Sequence, residues 1–171
     1  MAKDLRIITT GGTFDKLYDE IKGELTFRQS QLPRILQQTR CTLQIELEGP
    51  LAIDSLYMND EQRHEVAQRC LVSEERKIIV IHGTDTMVRT AETVVKTLGD
   101  HDRHTVVFTG AMIPYSLENS DAIFNLGCSF SAVQLLPPGV YICMCGKVFS
   151  WNNVRKNREA GIFEELTPSP Q

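Results

Sequence analysis

The sequence predicts an open, mostly parallel α/β sheet with helices on both faces, Rossmann- or flavodoxin-like, in a single domain. Two patterns carry that expectation. Short apolar runs alternate with amphipathic stretches, as βα units around a parallel sheet require. Polar clusters, three of them with glycine, then follow four of those runs, and a parallel sheet gathers the carboxyl ends of its strands along one edge. The 171 residues fit one compact domain. Hydrophobic residues at 42% and charged residues at 23% are ordinary for a globular chain.

Leu5–Thr9 is the first strand, ended by Gly11-Gly12. Residues Thr13 to Thr26 are polar and turn-rich, a surface loop long enough to be functional. A helix follows over about Ser30 to Arg40, with Pro33 tolerated in its first turn. Strands are expected at Leu43–Glu48 and Leu51–Asp54. Asn59 caps a helix with Val66, Ala67, Cys70 and Leu71 on one stripe. Lys77–Ile81 is too continuously apolar for a half-exposed strand and fits a buried central one. Met87, Val88, Ala91, Val94, Val95 and Leu98 mark the core face of the next helix, and Thr105–Phe108 is another buried strand. Ala122–Leu136 is a helix apolar on nearly every side, so cover on more than one face is expected, from a second subunit. Pro137-Pro138-Gly139 ends it, Val140–Cys145 resumes the sheet, and Thr167–Gln171 is a loose tail.

Composition excludes several classes. Eighteen Lys and Arg against 22 Asp and Glu give a net charge of −4, which lacks the broad basic footprint of a nucleic-acid binder. No apolar run approaches the roughly 18 residues of a membrane span. Met1-Ala2-Lys3-Asp4 has neither the apolar run nor the cleavage site of a signal peptide. The five cysteines are odd in number and irregular in spacing, which fits reduced thiols in a cytoplasmic protein. Cys143-Met144-Cys145 reads as buried strand, since no second Cys or His pair has metal-ligand spacing. His101-Asp102-Arg103-His104 reads as solvated loop.

The four strand-end clusters are Thr9-Thr10-Gly11-Gly12-Thr13, Asp54-Ser55, His82-Gly83-Thr84-Asp85-Thr86 and Thr109-Gly110-Ala111-Met112. They predict one crevice of hydroxyls, carboxylates and glycine backbone. Neither phosphate-loop spacing is present. Glycine N–H groups beside a hydroxyl nucleophile also make an oxyanion site, and a threonine hydroxyl needs a base to act as a nucleophile. No Ser/His/Asp set offers one: the apolar flank of His82 points to a structural role. Taken singly, Gly11-Gly12 also fits a plain turn, and Thr84 or Asp85 a helix cap. Their joint occurrence at neighbouring strand ends favours a site.

Thr10-Gly11-Gly12-Thr13 together with His82-Gly83-Thr84-Asp85-Thr86-Met87 resembles the paired signatures of bacterial-type L-asparaginases. Gly110-Ala111-Met112-x-Pro114, Asp121 and Phe124-Asn125-Leu126 are similar to the same family, over about residues 4 to 160. The resemblance implies hydrolysis of L-asparagine to L-aspartate and ammonia through a covalent acyl-enzyme, with no metal or organic cofactor. It makes Thr13 the nucleophile, with Tyr18 on a lid-like loop over the site. Thr84 and Asp85 become the second threonine and its acidic neighbour, completed by Lys156. Ser55 becomes the contact to the substrate carboxylate and Ala111 a backbone acceptor near the amide. The N–H groups of Gly12 and Thr84 become the oxyanion donors. Residues 1–166 then form an N-terminal-type catalytic domain in a short-chain form, and the missing contacts of a second domain imply weak binding of the substrate amino group. The chain departs from the family pattern at Leu56, where many members carry Gln, and at Trp151-Asn152-Asn153 ahead of Lys156. Arg155 and Arg158 also allow Lys156 to be part of a solvated charged turn. A homo-oligomer acting on a small molecule, without nucleic acid or membrane, is the expected assembly. Two alternatives stay open: the amidase subunit of a tRNA-dependent amidotransferase, and a non-catalytic asparagine or aspartate sensor.

Overall fold

The computed structural model describes residues 3–100 and 103–166. His101-Asp102 and the tail Thr167–Gln171 lie outside the described residues. In chain order come β1 (Leu5–Thr9), β2 (Lys16–Asp19), β3 (Glu24–Phe27), α1 (Leu32–Thr39), β4 (Ile45–Glu48), α2 (Asp60–Leu71), β5 (Lys77–Ile81) and α3 (Met87–Leu98). They are followed by β6 (Thr105–Thr109), α4 (Ala122–Leu135), β7 (Gly139–Met144), β8 (Lys147–Ser150), β9 (Arg155–Asn157) and β10 (Ile162–Glu164).

The main sheet runs β4-β1-β5-β6-β7-β8. Its first five strands are parallel and β8 is antiparallel to β7. The chain winds one way from β1 to β4 and the other way from β5 onward, which is the flavodoxin-like order. Its switch point falls between β1 and β5, where such sheets open a crevice beyond their carboxyl ends.

The strands are continuous apolar runs because both faces are covered. Ile78 and Val80 pack with Val66, Ala67 and Cys70 of α2 and with Met87, Ala91 and Val94 of α3. Ile79 and Ile81 face the opposite layer, with Leu32 and Ile35 of α1 and Ala122, Leu126 and Val133 of α4. Each such side chain stabilises the fold by about 1.5–3 kcal/mol. α2 starts where predicted: Asn59 Oδ1 accepts from the Gln62 N–H and the Gln62 side chain accepts from the Asn59 N–H, both at 2.9 Å, a capping box.

Several expectations are corrected. Thr13–Thr26 is not an open loop. A 3-10 turn over Thr13–Asp15 leads into the antiparallel β2–β3 hairpin. The Asp19 carboxylate, accepting from the Ile21 and Lys22 N–H groups, shapes its turn, and Gly23 supplies a φ of +69° there. Leu51–Asp54 is no strand; only Ile53 bridges Gly11, because Asp54 already caps the 3-10 turn Ser55–Tyr57 and the chain turns away there. Leu71 is 38% exposed, and the buried stripe of α2 is completed by Arg63 instead. β7 stops at Met144. Cys145 and Gly146 both have positive φ (+56° and +76°), the requirement of a tight two-residue hairpin turn, and the unpredicted β8 returns along β7. His104 is half-buried and its Nε2 bonds the Ser73 carbonyl at 3.1 Å, so it is not plain solvated loop. α4 has one covered face. Ile123, Phe124 and Leu135 are 43%, 60% and 84% exposed, so the second cover does not come from the described residues. Among the described residues no helix is long and apolar enough to cross a membrane.

Candidate active site

The loops after β1 and β5 meet backbone to backbone. Gly12 has φ +71°, and a Cβ there would stand 2.5 Å from Gly83 N and 2.6 Å from Gly83 Cα. A Cβ on Gly11 would stand 2.5 Å from Ile53 N. Glycine is therefore required twice, once for conformation and once for space. The contact brings Thr13 and Thr84 to either side of one backbone junction. Below it, the Phe14 ring is fully buried in the α1–α4 layer. Asp15 accepts from Ser30 Oγ at 2.6 Å and from the Gln31 N–H at 3.0 Å, tying the turn to the start of α1.

The Gly12 N–H, expected as an oxyanion donor, already has a partner. It donates to Ile53 O at 3.0 Å, while the Ile53 N–H donates to Thr10 O at 3.0 Å. The parallel bridge between these segments occupies the donor, a cost of the same close packing that makes the junction.

The acidic neighbour and the distant lysine do come together. Lys156 Nζ donates to Thr84 Oγ1 at 2.8 Å and to Asp85 Oδ1 at 3.0 Å. Arg158 Nη2 adds a contact to Asp85 Oδ1 at 3.2 Å. Lys156 reaches the end of β5 because β9 pairs with β10 in a register that sets it opposite Phe163. Phe163 and Val154 are buried in the core and anchor that hairpin. Lys156 is thus part of the crevice, not a solvated turn.

Ser55 is 1% exposed, and its Oγ has no hydrogen-bond partner among the described residues. Buried hydroxyls are ordinarily satisfied; this one is packed against the loop after β5, 2.5 Å from where a Cβ on Gly83 would stand. Beside it, Asp54 Oδ2 accepts from Lys16 Nζ at 2.6 Å. Burial pushes the Asp54 carboxyl up, but Lys16, the Leu56 N–H and the charge of Lys156 together hold it below its ordinary value. Leu56 is 57% exposed next to Ser55.

Ala111 is buried in a loop locked from α4. Asp121 accepts from the Met112 and Ile113 N–H groups at 3.0 Å. Asn125 Nδ2 donates to Gly110 O at 3.0 Å and Asn125 Oδ1 accepts from the Cys145 N–H at 3.1 Å. The family-like Asp121 and Asn125 hold this backbone still. Tyr18 stands apart on β2, 56% exposed.

One supporting residue escaped the sequence reading. Arg63, 2% exposed, sits beneath the crevice, and its signal was an arginine in step with Val66, Ala67 and Cys70. His82 is fully buried there too, as its apolar flank predicted. Burial, opposed by the Gly83 carbonyl and aided by the charge of Arg63, pushes its pKa from 6.5 down to about 4. The unfolded chain therefore binds a proton at higher pH than the folded one. Stability is intact above pH 6.5 and is lost as pH falls toward about 4, by about 3 kcal/mol at the bottom of that window. His82→Asn should flatten this slope in denaturant titrations between pH 6.5 and 4.5; an unchanged slope would show that other groups carry it.

Fold and site together define an α/β domain with a hydroxyl, carboxylate and lysine crevice at a flavodoxin-like switch point. A sequence profile described as "Asparaginase, N-terminal" matches residues 4–163, and the chain belongs to the asparaginase family. It is 25% identical over 161 residues to the L-asparaginase of Thermococcus kodakarensis, covering 92% of this chain and 49% of that protein. It is 28% identical over 180 residues to a glutamyl-tRNA(Gln) amidotransferase subunit from Archaeoglobus fulgidus, covering 98% of this chain and 43% of that one. The solved thermostable L-asparaginase from T. kodakarensis superposes with a TM-score of 0.84, covering 96% and 52% of the two chains. The probable cytoplasmic L-asparaginase from Campylobacter jejuni gives 0.79 at 25% identity, covering 96% and 53%. The chain spans about half the length of these relatives.

Proposed function

We propose that this chain hydrolyses L-asparagine to L-aspartate and ammonia, with Thr13 as nucleophile. The observation that carries the reading is the Lys156 ammonium on Thr84 Oγ1 and Asp85 Oδ1. A threonine, a carboxylate and a lysine from distant segments form a proton relay beside a second threonine, and ligand binding alone needs no such relay. Thr13 Oγ1 attacks the amide carbon as its proton passes to Thr84 Oγ1 and Thr84 passes its own to Lys156. The Lys156 ammonium, which has no lone pair of its own, hands one to Asp85 Oδ1, where the proton ends. The tetrahedral oxyanion is stabilised by the Thr84 N–H and, in place of that of Gly12, by the Thr13 N–H. The proton returned to the amide nitrogen lets ammonia leave. Water then hydrolyses the Thr13 ester, giving aspartate and regenerating the hydroxyl. Ser55 Oγ receives the substrate α-carboxylate, the Ala111 carbonyl accepts from the amide, and Tyr18 belongs to a hairpin that closes over the occupied crevice.

Ammonia release from L-asparagine by the purified chain tests the reading. Steady release is expected without any partner protein. Release only with a second protein and a tRNA would favour the amidotransferase reading, which the A. fulgidus relative raises. Aspartate or asparagine binding without turnover would favour a sensor.

The assembly we propose is a homo-oligomer in the cytoplasm. The exposed Ile123, Phe124 and Leu135 of α4 supply an apolar surface for the contact. Sedimentation velocity at micromolar concentration is expected to show a species larger than a monomer, and a clean monomer would remove this element.

A further inference from the structure

We propose that Arg63, acting through Thr90 and His82, sets the orientation of the Gly83–Thr84 peptide and so aims the Thr84 N–H into the crevice. This inference rests on the functional reading above and names the residues that hold one of its oxyanion donors.

The chain of contacts has one consistent proton assignment. Arg63 Nη1 donates to Thr90 Oγ1 at 2.7 Å, and a guanidinium cannot accept. The single hydroxyl proton of Thr90 is therefore free to go to His82 Nε2, 2.8 Å away, or to Met58 Sδ at 3.7 Å; the nearer and better acceptor takes it. His82 Nε2 is then a lone-pair site, and its proton sits on Nδ1, which donates to Gly83 O at 2.8 Å. The opposite tautomer would set a lone pair against that carbonyl. A doubly protonated ring would place a second cation in a fully buried position beside Arg63, where burial already favours the neutral form.

Gly83 O and the Thr84 N–H belong to one trans, planar peptide and point to opposite sides of it. Holding the carbonyl down on His82 therefore holds the N–H away from the core. Arg63 also ties this loop to its neighbour: Nη1 donates to Thr86 Oγ1 at 3.2 Å and Nη2 to Met58 O at 3.0 Å, while Thr86 Oγ1 donates to Ser55 O at 2.9 Å. A buried arginine is expensive to desolvate. Here it serves two loops of the crevice, which accounts for its place on an otherwise apolar helix face.

The test separates a donor at the δ position from mere bulk. In His82→Asn the side-chain NH₂ replaces the Nδ1–H. In His82→Gln the amide extends toward Thr90 and leaves Gly83 O without its donor. With both variants folded by circular dichroism, kcat for asparagine is expected to stay within about fivefold of wild type in His82→Asn. In His82→Gln it should fall about 100-fold, the loss of one misdirected oxyanion donor, with KM changed less than about threefold. Thr90→Val should lower kcat about tenfold and mix the ring tautomers. Nitrogen-15 NMR of the histidine-labelled wild-type chain, read without substrate, is expected to show His82 protonated on Nδ1 only. An Nε2–H tautomer in wild type would overturn the proposal, even if either variant failed to fold. Equal activity of the two folded variants, or a change confined to KM, would overturn it as well. A wild-type chain that shows the Nδ1–H tautomer but releases no ammonia would instead strike the functional reading, and with it the catalytic half of this proposal.

Discussion

Thr13→Ala is expected to lower kcat for asparagine by about 10⁴-fold or more while the protein stays folded. A nucleophile's loss removes the covalent route entirely, and in hydroxyl-nucleophile hydrolases such single deletions cost several orders of magnitude. Stability should barely change. Thr13 is half-buried at the start of a 3-10 turn that is anchored by Phe14 and Asp15, not by its own side chain. Truncating it falls among surface-like substitutions worth about 0.5 kcal/mol. Ammonia release with a parallel thermal melt checks both halves, and wild-type-like turnover in a folded Thr13→Ala chain would remove Thr13 from the nucleophile's role.

Lys156→Met is expected to lower kcat by about 10³-fold, because it deletes the only side chain seen bridging Thr84 Oγ1 and Asp85 Oδ1 among the described residues. Methionine keeps the aliphatic stem, and Phe163 and Val154 still seat the hairpin. Asp85 keeps Arg158 as a cation, so the loss should be chemical, not structural. Thr84→Val should be similarly damaging, and the double variant little worse than either single one, since groups acting as one relay are strongly non-additive. Full additivity in that cycle would mean that Lys156 and Thr84 serve separate steps.

The parallel core was legible because its strands are buried on both faces. Lys77–Ile81 and Thr105–Phe108 have no polar alternation to confuse the reading, and their helices carry clear stripes. Asn59 was legible as a cap because it stands ahead of an apolar helical stripe, and the structure adds Gln62 to complete its box. The short antiparallel pieces were not. β2, β3, β9 and β10 have three or four residues each, and their pairing depends on partners rather than on internal periodicity. Leu51–Asp54 misled because its composition suits a strand while Asp54 caps a 3-10 turn that ends the extended run. At the site, residue types and spacing singled out loops at neighbouring strand ends, and topology did bring Lys156 to Thr84 and Asp85. Which N–H groups are available was invisible, because the Gly12 donor is taken by a bridge to Ile53, a residue 41 positions away. Arg63 was missed because an arginine in step with Val66, Ala67 and Cys70 reads by default as the polar end of the stripe and not as a buried member of it.

The site's dispersal along the chain has a kinetic consequence. Residues 13, 55, 84, 111 and 156 lie on five separate segments, and the hydrogen bond seen between two of them, Lys156 to Thr84, spans 72 positions. Every crossover connection must close before the crevice exists, and closure of long loops precedes the contacts that reward it. The Arg155–Glu164 hairpin adds its lysine to an arrangement that the sheet alone leaves without a cation between Thr84 and Asp85. On refolding from denaturant, recovery of backbone signal should therefore run ahead of recovery of turnover, with the delay reporting the docking of that hairpin.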